Sequence, residues 1–140
     1  MSYNKIIALE GKGNSGKTAT IRCVFELLKQ RASSEPEVLK NDGDIKAILI
    51  INSTKIGIES QGDPKSRLEE SLKDFADAKC QIIVCATRTR GMTVDWVNAL
   101  PGYSVEWVKQ SYFGDKPDQD KNNEAKAQEI AAKVLKAVNA

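Results

Sequence analysis

Ile6-Ile7-Ala8-Leu9, and Gln81 to Ala86 with Ile82-Ile83-Val84 at its centre, are short unbroken apolar runs closed by polar residues. Runs of this length, rich in branched side chains, predict strands buried on both faces. Between them the spacing changes. Ile21, Val24, Phe25 and Leu28 recur at i, i+3, i+4 and i+7, which predicts a helix over Gly16 to Ala32 with one apolar face. Val38-Leu39, Ile45 to Ile51 and Lys55 to Glu59 are strand-like segments separated by Asn41-Asp42-Gly43-Asp44 and Asn52-Ser53-Thr54, a pattern that predicts an antiparallel meander. Asp63 as N-cap and Pro64 at the first helical position predict a further helix whose Leu68, Leu72 and Phe75 face inward. Thr93 is the expected cap of a short helix carrying Val94, Val97 and Leu100, and Tyr103, Val105 and Trp107 alternate with polar residues along a strand reaching Phe113. Gly114 to Asn123 reads as a polar loop, and Ile130, Ala131, Val134, Leu135 and Val138 form the stripe of a last helix.

Strands alternating with helices over 140 residues, with no linker and no repeat, predict one domain spanning 1–140. The expected architecture is an α/β sheet with helices on both faces. Ligands gather at the carboxyl ends of such strands. The polar segments Gly11 to Thr18, Glu59 to Asp63, Thr87 to Gly91 and Gly114 to Asn123 fall there.

Composition narrows the chemistry. There is no histidine, which excludes Ser-His-Asp triads, Cys-His pairs and histidine-bound zinc. Cys23, Cys80 and Cys85 have no C-x-x-C spacing and suit a reducing cytosol. With 21 basic and 19 acidic residues the net charge is +2, which argues against nucleic acid as a partner. No apolar run approaches the ~20 residues of a membrane span, so the chain is expected to be cytoplasmic, with no membrane contact.

Gly11-Lys12-Gly13-Asn14-Ser15-Gly16-Lys17-Thr18 satisfies G-x-x-x-x-G-K-[ST] at every position, between a predicted strand and a predicted helix. Glycines there let successive backbone N–H groups turn around an anion, and the following helix presents its unpaired amides and positive end to the same point. In these residues the chain resembles the P-loop NTPase superfamily. The resemblance covers the first strand, loop and helix closely and the remainder only by architecture. It implies a three-layer P-loop NTPase-like sandwich with a mainly parallel central sheet, the antiparallel meander lying in the first half. It also implies ATP and Mg²⁺ as cofactors, with Gly11 to Thr18 binding the nucleotide, Lys17 bridging the β- and γ-phosphates and the Thr18 hydroxyl serving the metal. Lys12 falls where a chromosome-partitioning subgroup has a signature lysine reaching across a dimer. That subgroup is longer and has a glycine where Asn14 stands, so an ordinary loop residue is the favoured reading.

Family members hold the metal through an acid at the end of a neighbouring strand. Glu59 is the best match, because Glu59-x-x-Gly62 is similar to the D-x-x-G of GTPases; Asp63 is the rival, with a helix cap as its other reading. Gln61 is a candidate for orienting an attacking water, against simple solvation. Arg88 and Arg90, at i and i+2 after a buried strand, would point the same way and clamp a phosphoryl group; the alternative is pairing with Glu59 or Asp63. No N/T-K-x-D guanine motif is present, which favours adenine. The expected function is Mg-dependent ATP binding with slow hydrolysis, carried by Lys17, Glu59, Gln61, Arg88 and Arg90. A small-molecule or nucleotide kinase is one alternative. The other is a nucleotide-dependent switch or assembly subunit acting through a protein partner or a homodimer.

Overall fold

The computed structural model describes residues 4–13, 15–112 and 114–139. The elements run β1 (Asn4–Glu10), α1 (Lys17–Lys29), β2 (Glu37–Asn41), β3 (Ile45–Ile51), β4 (Thr54–Glu59), α2 (Leu68–Asp77), β5 (Ile82–Thr87), α3 (Met92–Ala99), β6 (Tyr103–Lys109) and α4 (Lys116–Val138). The strands form one six-stranded sheet in the order β2-β3-β4-β5-β1-β6.

This is a small α/β fold built on a mixed sheet, and it corrects the expectation of a P-loop NTPase-like sandwich with a mainly parallel sheet. The physical reason lies in two tight reversals. Gly43 at φ +97° and the pair Asn52 and Ser53, at +48° and +67°, turn the chain directly back on itself. In consequence β2, β3 and β4 pair antiparallel, and three of the six strands belong to a meander. Parallel pairing is confined to β4 with β5, β5 with β1, and β1 with β6.

Alternate residues of the strands feed two cores. Ile7, Leu9, Ala47, Leu49, Ile56, Ile58, Val84 and Ala86 pack under α1 and α4 with Ile21, Val24, Leu28, Ile130 and Val134. Ile6, Ala8, Ile83 and Cys85 pack on the opposite face against Leu68, Leu72 and Phe75 of α2 and Val97 of α3. The period of two along β1 and β5 thus fills both cores, which is why these strands read as unbroken apolar runs. Phe75 lies so close to Gly57 that a Cβ there would meet its ring at 2.5 Å.

Several boundaries move. Residues 63–67 form bends and turns, and α2 begins at Leu68 with Arg67 as its N-cap, so Asp63 does not cap it. Thr93 lies inside α3, where its hydroxyl accepts the Arg88 N–H at 3.0 Å; Gly91 is the N-cap. The last strand ends at Lys109, and Phe113 lies outside the described residues. Much of the expected loop Gly114 to Asn123 is the start of α4, with Asp115 as N-cap and Pro117 in the first turn.

Candidate functional site

The segment after β1 leads into α1 at the carboxyl end of the parallel strands. Gly16 is the N-cap of α1 at φ +89°, a left-handed conformation that favours glycine, and a Cβ there would also meet the Asn123 amide at 2.8 Å. No side chain caps this helix and no acidic residue stands in its first turn. Its first residue is instead a cation, Lys17, whose side chain is buried. Cations are disfavoured at a helix N-terminus, where the macrodipole is positive. Burial pushes the Lys17 pKa down to about 8, repulsion from Arg88 adds to this, and attraction to Asp63 partly offsets it.

Lys17 Nζ donates to the Gly11 carbonyl and, at 3.0 Å, to that of Lys12. An ammonium has three donors, so one remains beyond these two carbonyls. Ser15 Oγ donates to the Lys12 carbonyl at 2.7 Å. The Ser15 carbonyl accepts from Gln110 Nε2 at 2.8 Å and Gln119 Nε2 at 3.1 Å, and Asn123 Oδ1 accepts from the same two amides at 2.7 and 2.8 Å. In a trans peptide the C=O and the following N–H are antiparallel, so the Gly16 N–H faces away from this amide cluster. Lys12 is exposed, with its ammonium 3.9 Å from the centre of the Tyr112 ring. Asn14, expected in the nucleotide set, lies outside the described residues.

A cavity of about 570 Å³ opens at this point. Ser15, Gly16, Lys17 and Thr18 line one side, with Arg22 of α1; Asp44, Ser60, Gln61, Gly62 and Asp63 line the other. The Thr18 hydroxyl donates to Asp44 Oδ1 at 3.1 Å, and Ser60 Oγ donates to the same oxygen at 2.8 Å. Ser60 is itself fixed, since its Oγ accepts the Ile45 N–H at 2.8 Å. Gly62 is pressed onto β5, where a Cβ would run into the Ala86 carbonyl.

The remaining residues expected at the site are spread more widely. Glu59 is fully buried and is not among the cavity-lining residues. Its oxygens accept from Arg67 Nε at 2.7 Å, Arg67 Nη2 at 3.2 Å, Ser71 Oγ at 2.6 Å and the Gln61 N–H at 3.1 Å. Sheet order explains this placement. β5 stands between β4 and β1, which puts Glu59 two strands, roughly 10 Å, to one side of β1. Through Cys85 its register is level with Ala8, three residues short of Gly11.

Gln61 lines the cavity, while its side-chain carbonyl accepts the Arg67 N–H at 3.1 Å. Arg88 pairs with Asp63 through Nε at 3.0 Å, and its guanidinium lies where a Cβ on Gly13 would meet it at 2.8 Å. Arg90 is exposed and, among the described residues, makes no hydrogen bond or ion pair.

Sequence reasoning missed Asp44, Gln110, Gln119, Asn123 and Arg67. Asp44 carried only a turn signal, Gln119 and Asn123 fell within the polar segment Gly114 to Asn123 with no residue singled out, and Gln110 and Arg67 carried no signal. Among the described residues no group of three or more carboxylates or thiols could hold a metal ion by itself. No helix among them is long and apolar enough to cross a membrane. Compared with protein-family models, curated proteins and solved structures, the chain matches none.

Proposed function

We propose that this protein binds ATP with Mg²⁺ at the Gly11 to Thr18 loop and hydrolyses the terminal phosphate slowly, in a reducing cytosol that suits its free thiols. One observation carries the reading: a buried lysine stands at the uncapped N-terminus of α1, next to a second cation, where its own helix repels it. Such a breach of local electrostatic rules supports a site that takes an anion. The cavity beside it has room for a polyphosphate chain, and Thr18 and Asp44 offer the hard oxygen donors that Mg²⁺ takes.

In this reading the Gly16 N–H and the first amides of α1 bind the phosphate oxygens. Lys17 turns its third N–H to the anion and is held protonated by it. Bound Mg²⁺ neutralises charge on the triphosphate. Arg88, kept on Asp63 through Nε, offers its Nη groups to the terminal phosphate, and Gln61 orients a water with its side-chain NH₂. Glu59 acts at a distance, as the anchor that fixes Gln61 and Arg67.

The test is release of inorganic phosphate from Mg-ATP without any acceptor. Slow release that disappears in Lys17→Ala supports the ATPase. Release or transfer only on addition of an acceptor supports a kinase, and no nucleotide binding at millimolar concentration removes the proposal.

A further inference from the structure

We infer that the metal-side carboxylate of this site is Asp44, delivered by the turn between two antiparallel strands, and that Glu59 at the end of β4 is not a ligand. The inference rests on the phosphate-loop reading above and names the protein group that completes it.

Three observations meet at Asp44. First, its Oδ1 lies 3.1 Å from Thr18 Oγ1, across the cavity wall from Lys17. An octahedral Mg²⁺ with ligands at about 2.0–2.1 Å places adjacent oxygens about 2.9 Å apart. The Thr18–Asp44 separation is therefore close to one edge of such a polyhedron, and the two oxygens would hold a cation once the Thr18 O–H, keeping its proton, turns away from Asp44. Second, the carboxylate is held from behind. Ser60 Oγ donates to the same Oδ1 at 2.8 Å while accepting from Ile45 N–H, and Arg67 Nη2 reaches the Asp44 carbonyl at 3.4 Å. These contacts fix the turn against the segment that follows β4. Third, the rival acids are committed elsewhere. Glu59 has Arg67, Ser71 and the Gln61 N–H on its two oxygens and is fully buried, and Asp63 Oδ1 receives Arg88 Nε at 3.0 Å.

Mg²⁺ typically takes one or two protein carboxylates and completes its shell with substrate phosphates and water. One carboxylate beside one hydroxyl is therefore sufficient, and no cluster of acids is needed. The topology supplies it. β3 runs antiparallel to β4, so the residue preceding β3 sits at the same end of the sheet as the residues that follow β4.

The test measures affinity rather than turnover. A non-hydrolysable ATP analogue is titrated into the wild type, Asp44→Asn, Thr18→Val, Glu59→Gln and Asp63→Asn, each in EDTA and in Mg²⁺, with thermal melts to confirm folding. For the wild type, Mg²⁺ is expected to tighten binding at least tenfold. Asp44→Asn, which keeps the shape and still accepts the Thr18 and Ser60 hydroxyls, and Thr18→Val are each expected to cut that gain below threefold; binding in EDTA is expected to tighten in Asp44→Asn, where a carboxylate no longer repels the phosphates. Glu59→Gln and Asp63→Asn are expected to keep the gain. A full Mg²⁺ gain in folded Asp44→Asn, or its loss in Asp63→Asn or Glu59→Gln alone, overturns the assignment and leaves the phosphate loop standing. No binding of the analogue by the wild type in either buffer removes both. The Mn²⁺ electron paramagnetic resonance spectrum of the ternary complex gives a second readout, and it should differ between wild type and Asp44→Asn.

Discussion

Lys17 is the residue on which the site turns. Its ammonium is buried, at the wrong end of a helix for a cation, with a pKa near 8. A bound polyphosphate favours the charged form and raises that pKa toward or above the ordinary lysine value. The complex then holds more protons than the free protein above pH 8, so binding takes up a proton there and weakens with rising pH, by up to tenfold per unit. Calorimetry in buffers of different ionisation enthalpy at pH 8.5 should show this uptake, and Lys17→Met should abolish it. At pH 7, loss of the charged hydrogen bond is expected to cost about 1.5–3 kcal/mol of binding, seen as a tenfold or larger rise in Kd. The place of Lys17 at the start of α1 was legible in the sequence, because the eight-residue spacing falls between an apolar run and a helical stripe. Asp44 was not legible, since one aspartate in an Asn-Asp-Gly-Asp turn carries no spacing that names its partner across 26 positions. For Glu59 a local D-x-x-G likeness suggested a metal ligand, and the spacing carried no sign that the half-buried guanidinium of Arg67, eight residues on, donates to its carboxylate.

Two elements hold the site from either side. On one side, the segment between β4 and α2 is organised by buried Glu59 and its half-buried partner Arg67, which also reaches Asp42 on the neighbouring turn at 3.0 Å. Removing one partner of a buried pair leaves the other charge uncompensated. Arg67→Ala is expected to lose about 3–5 kcal/mol of stability by chemical denaturation. On the other side, the first turns of α4 bring Gln119 to the Ser15 carbonyl directly and Asn123 to it through Gln110 and Gln119. Asn123→Leu removes the shared acceptor and is expected to raise the nucleotide Kd about tenfold, near 1.4 kcal/mol, with unchanged far-UV circular dichroism. Hydrophobic periodicity was blind to this part of α4. Residues 116–123 are almost wholly polar, and the one buried position, Asn123, faces an amide cluster instead of the core.

At the scale of the molecule, the existence and type of most elements followed from apolar spacing, because β1, β5 and the stripe of α1 are fixed by burial. The antiparallel pairing of β2, β3 and β4 followed from their turns, but the strand order of the whole sheet did not. Strand order depends on which edges meet after two tight turns reverse the chain, and the mixed sheet that results separates β4 from β1. Glu106 on β6 ties three elements together, receiving Lys5 of β1 and Lys133 of α4 at 2.6 Å each. Hydrogen bonds from Lys133 and Lys5 hold its pKa down to about 2. A depressed carboxylate stabilises the fold above its unfolded value near 4.5 and loses that contribution as pH falls toward 2. Glu106→Gln should therefore melt lower at pH 7 and show a flatter decline in stability between pH 4.5 and 2. The most direct test of the central claim is a calorimetric titration of Mg-ATP into the wild type and into Lys17→Ala at pH 7. The account predicts saturable one-site binding by the wild type and at least tenfold weaker binding by the variant. Equal affinity of the two proteins, or no heat from the wild type at millimolar ATP, would contradict it.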